Sequence, residues 1–79
     1  MPLVKKIGAY EFRFYSRGEA TEPPHIHVKR GRLEAKFWLT PTVLLARPGR
    51  YRLHELNQIA YLVEAHRQEL IEAWHEYFE

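Results

Sequence analysis

The chain has 79 residues, and its 46% hydrophobic and 14% aromatic content makes it too apolar for a disordered segment and too short for more than one domain. It has no cysteine, which excludes a disulfide scaffold, thiolate metal sites and cysteine nucleophiles. The formal net charge of +2 conceals an asymmetry: 11 Lys or Arg face 4 Glu through Arg52, and 1 Arg faces 6 Glu from Leu53 onward. A basic front and an acidic tail suit a nucleic-acid surface backed by a solvated acidic helix. They equally suit two halves that attract each other within one fold. No apolar run approaches the roughly 20 residues of a membrane helix. The start, MPLVKKIGAY, lacks the apolar core of a secretory signal. The expectation is a soluble, cytoplasmic single domain over residues 1–79, with no membrane association.

In chain order, Leu3 to Ile7 is a short strand, and Gly8-Ala9 a tight turn. Tyr10 to Ser16 alternates, with Tyr10, Phe12 and Phe14 on one face and Glu11, Arg13 and Tyr15 on the other. Arg17 to Pro24 is a loop, punctuated by Gly18 and two prolines that cannot donate to a sheet ladder. His25 to Arg30 alternates again, Ile26 and Val28 opposing His25, His27 and Lys29. After a turn at Gly31-Arg32, Leu33 to Leu39 sets Leu33, Ala35, Phe37 and Leu39 against Glu34, Lys36 and Trp38. Thr42 to Ala46 is a further short strand or a helical turn, and Arg47-Pro48-Gly49-Arg50 turns the chain.

Leu53 to Phe78 reads as one helix. At about 100° per residue, Leu53, Ile59, Ala60, Val63, Leu70, Ile71, Trp74, Tyr77 and Phe78 fall within about 60° of Leu56, a single broad apolar stripe. Glu55 stands where a capping box needs its acid, but Arg52 occupies the N-cap. Arg67 sits near the stripe centre, where its stem can lie along apolar surface while its head reaches water, an anion or a Glu. The expected fold is α+β: a curved antiparallel sheet of four to five short strands with one long C-terminal helix packed on one face. One helix covers one face. The other, carrying Glu11, Arg13, Tyr15, His25, His27, Lys29, Glu34, Lys36 and Trp38, is expected to be open, as antiparallel sheets permit.

That face is where chemistry is expected. His25 and His27, two apart on a strand, project to one side about 7 Å apart. As metal ligands they would hold a divalent ion such as zinc, with Glu11, Glu34 or, more weakly, His75 as a third ligand. As catalytic residues they would be general base and general acid of a metal-free, ribonuclease-like phosphodiesterase, with Arg13, Lys29 or Lys36 steadying the phosphate. As a binding surface, Tyr15 and Trp38 would stack bases of RNA or DNA while Arg13, Lys29, Lys36 and Arg67 meet phosphates. The same aromatic, mixed-charge face would also serve as an interface with a small partner protein or a second copy of the chain. Lys5, Lys6, Arg30, Arg32, Arg47, Arg50 and Arg52 would form a basic rim.

The run PPHIHV (Pro23 to Val28), followed by EAKFWL (Glu34 to Leu39) and EAWHEYF (Glu72 to Phe78), resembles the small bacterial proteins grouped as domain of unknown function 4160. The resemblance extends over nearly the whole chain, including YEFRFYS (Tyr10 to Ser16). It implies no established activity. It implies a gene neighbour that encodes another small protein, a two-gene arrangement of toxin–antitoxin type. His25 and His27 lie on the motif by which that family is best recognised. The Ser or Thr that the family commonly has before the helix is replaced here by Arg52.

Overall fold

The computed structural model describes residues 3–15 and 19–79. Five strands, β1 (Leu3–Ile7), β2 (Tyr10–Arg13), β3 (His25–Arg30), β4 (Leu33–Trp38) and β5 (Leu44–Arg47), are followed by α1 (Leu53–Ala65) and α2 (Arg67–Phe78). The strands lie side by side in chain order, every neighbouring pair antiparallel. The turns that make this meander are where sequence placed them: Gly8 and Gly31 adopt φ of 57° and 60°, a backbone region that costs glycine nothing.

Alternation decides which face is core. Phe12, Phe14, Ile26, Val28, Ala35, Phe37 and Leu39 are all buried and meet Ile59 and Val63 of α1 and Leu70 and Trp74 of α2. Tyr51 closes this core near the start of α1. Its hydroxyl donates to the carbonyls of Val28 (3.1 Å) and Leu33 (3.3 Å), and burial pushes its pKa up to about 12. Arg30 sits over both Tyr10 and Tyr51 and pairs with Glu55, so the strand end is bolted to α1. Glu55 also accepts the Arg52 N–H at 3.0 Å. An arginine side chain has no acceptor, so this return bond is the half of the capping box that an Arg52 N-cap can make.

Three expectations are corrected. The single long helix is two, broken at His66, whose φ of −109° and ψ of 14° leave helical space. There is no Pro or Gly at the break. Arg67, the first residue of α2, donates to the carbonyls of Leu39 (2.7 Å) and Pro41 (3.2 Å), tying the helix to the loop after β4. Each helix buries its own apolar pair, and Leu53 and Tyr77, at the borders of the stripe, remain 74% and 43% exposed. Second, the segment Thr42 to Ala46, expected as a short strand or a helical turn, is a strand that runs from Leu44 to Arg47. Third, β2 ends at Arg13 rather than Ser16; Phe14 and Tyr15 continue beyond the ladder, while Ser16, Arg17 and Gly18, with the start of the loop expected from Arg17 to Pro24, lie outside the described residues.

Candidate functional site

The helix-free face is organised in cross-strand rungs. Register places Arg13 opposite His27, His27 opposite Lys36, and Lys36 opposite Arg47, a row of four basic side chains across β2 to β5. The next rung sets Glu11 opposite Lys29 and Lys29 opposite Glu34. On the other side, His25 faces Trp38. The alternation that put Ile26 and Val28 in the core therefore put both histidines on the opposite face, as expected.

Their exposure is not as expected. His25 is 0% and His27 3% exposed. The reason is the early end of β2. Its last pair with β3 is Arg13 with His27, so no strand residue pairs with His25 from that side. Trp74 of α2 reaches this end of the sheet, its ring centroid 4.8 Å from that of His25 and 5.5 Å from that of Phe14 in the main core. Trp38 lies edge-on to His25 at 5.5 Å, and Tyr15 covers His27 at 4.4 Å. Lys36 seals the layer, its ammonium 4.5 Å from the Trp38 ring and 2.5 Å from Glu22. His25 Nδ1 lies 2.8 Å from the Pro23 carbonyl, so that ring nitrogen carries its proton inward to backbone. The two histidines, expected to act together at the surface, are thus unequal: His25 is a packed residue of a second, aromatic core.

His27 differs because it also lines a depression of about 440 Å³ with Glu34, Ala35, Arg47, Pro48, Gly49 and Arg50. Tyr15 bridges the two polar residues of this floor. Its ring packs on His27, and its hydroxyl donates a hydrogen bond to the Glu34 carboxylate. Partial burial raises the Glu34 carboxyl above its ordinary value, with Arg47 and Arg13 pulling the other way. The wall is set by backbone conformation. Gly49 and Arg50 both have positive φ, 61° and 71°, and a Cβ at Gly49 would overlap the Glu34 carbonyl oxygen. Gly49 is needed for that close approach, and Arg50 occupies a conformation unfavourable to a side-chain-bearing residue.

The other basic residues divide. Arg13 pairs with Glu11 at 3.0 Å on the open face. Among the described residues, neither Lys29, Arg47 nor Arg50 has a carboxylate at ion-pair distance. Lys5 and Arg30, expected in a basic rim, are instead paired with helix acids, Glu69 at 3.0 Å and Glu55 at 2.5 Å. Arg67, expected to meet phosphate, spends its guanidinium on the two loop carbonyls. His75, the weak third-ligand candidate, is exposed on α2 and bonded to Glu79. Among the described residues, no three His or Glu come together to hold a metal ion. Glu11 and Glu34 are on the face expected for them, but Arg13 and Tyr15 engage them.

Sequence reading did not single out the trio of Glu34, Arg47 and Arg50 as one site. The usable signal was Pro48-Gly49, a turn that brings Arg50 back over β4, but joining it to Glu34 needs the register of β5. No described helix is long and apolar enough to cross a membrane. The family description "Domain of unknown function (DUF4160)" matches residues 9–75, and the chain belongs to that family. No curated protein and no solved structure matches it.

Proposed function

We propose that this member of the domain of unknown function 4160 family is a nucleic-acid-binding module that takes the phosphate backbone of a single strand across its helix-free sheet face. In the two-gene arrangement that the family resemblance implies, it would be the nucleic-acid-facing member of a toxin–antitoxin pair. The observation that carries the reading is the basic row that register sets across four strands: its ends, Arg13 and Arg47, with Lys29 and Arg50 beside it, are the accessible cations, while His27 and Lys36 in its middle are 3% and 9% exposed. Three inter-strand steps span about 14 Å, a length that meets two to three successive phosphates. The acidic helices lie behind the sheet, so the charge asymmetry of the chain becomes an asymmetry of faces. The carboxylate neighbours of Arg13 and Lys36 do not preclude this. A partly exposed ion pair is worth about 0–1 kcal/mol, which a polyanion can replace. Tyr15 and Trp38, half-buried, offer ring surface beside the rung rather than fully open stacking platforms.

The test is titration of a mixed-sequence RNA of about 20 nucleotides by fluorescence anisotropy over a range of salt. Two to three neutralised phosphates predict a log–log salt slope of about −2 for single strands. Arg47→Ala should reduce the slope by about 0.7 with little sequence dependence, while Lys5→Ala, on the helix side, should leave it unchanged. Binding that is absent at low salt, or indifferent to salt, contradicts the reading.

A further inference from the structure

The depression beside the rung contains more than cations. Glu34 and His27 both line it, Tyr15 touches both, and Arg47 and Arg50 stand at its rim. A surface that only neutralised phosphate would gain nothing from a carboxylate in its centre, since a negative charge there opposes the ligand. A reactive centre would use it. We propose that this depression is a ribonuclease centre in which Glu34 is the general base, His27 the general acid, and Arg47 and Arg50 hold the scissile phosphate. The proposal rests on the nucleic-acid reading above and names the substrate class of that site as single-stranded RNA.

The step balances without a cofactor. The Glu34 carboxylate takes the proton of the ribose 2′-hydroxyl, and O2′ attacks the adjacent phosphorus. The P–O2′ bond forms and the P–O5′ bond breaks. His27, entering as imidazolium, gives its proton to the departing O5′. The products are a 2′,3′-cyclic phosphate and a 5′-hydroxyl, and solvent returns Glu34 to carboxylate and His27 to imidazolium. The charge that accumulates on the non-bridging oxygens is met by the Arg47 and Arg50 guanidinium groups, electrostatic stabilisation being the largest single contribution in such a transition state. The geometry assigns the parts. Glu34 lies diagonally across from His27 on neighbouring strands, two residues from its direct partner Lys36, so the two side chains flank one space on one face. Tyr15 holds both in place. The raised Glu34 carboxyl makes its carboxylate a stronger proton acceptor than a fully solvated one. Arg50, kept at positive φ where glycine or asparagine would be easier, fits a residue retained for its guanidinium.

The experiment uses the full chain, a 5′-labelled RNA of about 20 nucleotides in EDTA, and the 2′-O-methyl form of the same strand as a probe that binds but cannot react. The expected result is cutting of the RNA to fragments ending in 2′,3′-cyclic phosphate. Glu34→Gln should slow cutting by about 100-fold or more while holding the 2′-O-methyl strand at least as tightly as the parent. His27→Gln should be slow on ordinary RNA and recover on a strand whose scissile O5′ is replaced by sulfur, which leaves without a proton; Glu34→Gln should not recover. Should His27→Gln fail to fold, Glu34→Gln alone decides. Intact RNA with the 2′-O-methyl strand bound overturns the cleavage proposal and leaves the binding reading standing. Cutting that requires a divalent cation, or that survives Glu34→Gln, overturns it as well. Failure to bind the 2′-O-methyl strand overturns both.

Discussion

The two faces of this sheet are built from the same alternating strands, yet they solve different problems. The helix-covered face is all carbon at its centre: Phe12, Ile26, Val28, Phe37 and Leu39 against Ile59, Val63 and Leu70, each 2% exposed or less. The other face is also largely sealed, but by rings and long polar side chains: His25, His27, Trp38, Tyr15 and the Lys36–Glu22 pair. A sheet in so small a domain cannot leave both ends of every strand bare, and where the helix does not reach, large amphipathic side chains do the covering. What remains most accessible is the border between that polar layer and the β5 turn, where Arg47, Pro48 and Arg50 are exposed. The candidate site lies there, not over the histidine pair. Both histidines are buried, but His25 packs between Trp38 and Trp74 while His27 lines the depression, although the two are neighbours in pattern.

This comparison can be broken by substitution. The largest effect is expected from Phe12→Ala, which empties the centre of the covered face. A buried Phe loses about 3–5 kcal/mol, much of the stability available to a domain of this size, and thermal melting by circular dichroism should find little folded protein at 37 °C. His25→Ala comes next. If the second face is a core, removing a ring packed on Trp38 and Trp74 should cost about 2 kcal/mol and lower Tm by roughly 10 °C. A Tm within a degree or two of the parent would mean that His25 is not structural and that the two faces differ more than their burial indicates. Gly49→Ala should follow, at about 1–3 kcal/mol, because its Cβ meets the Glu34 carbonyl at a positive φ. Its melt should be accompanied by weaker RNA binding, since Arg50 moves with the turn.

The smallest effect sharpens the contrast most. Glu34→Gln keeps an acceptor for the Tyr15 hydroxyl and removes a charge that partial burial disfavours. Because the folded state holds this carboxyl above its ordinary value, the penalty for ionising it is absent below that ordinary value and complete above the raised one. The substitution should therefore stabilise at pH 7, by less than about 0.5 kcal/mol, and the gain should vanish as pH falls below about 4. Glu55 and Glu69, on the helix side, behave oppositely. The Arg52 N–H with Arg30, and Lys5 with His66, hold their carboxyls low. Their contribution is present above the ordinary carboxyl value and lost as pH falls through the lowered one. Melting curves at pH 7 and pH 3.5 for Glu34→Gln and Glu55→Gln should thus change in opposite directions. A residue whose loss raises stability while abolishing cleavage is what a functional carboxylate would be.

Much of the architecture was legible without coordinates. Period-two alternation in Tyr10 to Ser16, His25 to Arg30 and Leu33 to Leu39 identified three strands, the first and third of which end earlier, at Arg13 and Trp38, and it sorted the faces of the described residues correctly. Glycines at 8 and 31 located the turns, and the apolar stripe from Leu53 to Phe78 located the helical layer. The break at His66 was not legible, because the stripe continues across it and no Pro or Gly marks it. Its anchor is a bond from Arg67 to carbonyls 26 and 28 residues away. The site was legible in composition and not in membership. Tyr15, His27 and Glu34 were on the right face by parity alone, whereas Arg47 and Arg50 joined them through the pairing of β5 with β4.

By itself, then, the chain determined its strands, its turns, the side of the sheet each residue takes and the separation of basic from acidic halves, because these depend on side-chain periodicity, glycine conformation and covalent order. Only the tertiary structure decided which members of a face meet solvent. That depends on where strands stop pairing, on Trp74 reaching past the end of β2, and on a turn folding Arg50 toward Glu34. Burial is a property of neighbours distant in the chain, and no local pattern encodes it.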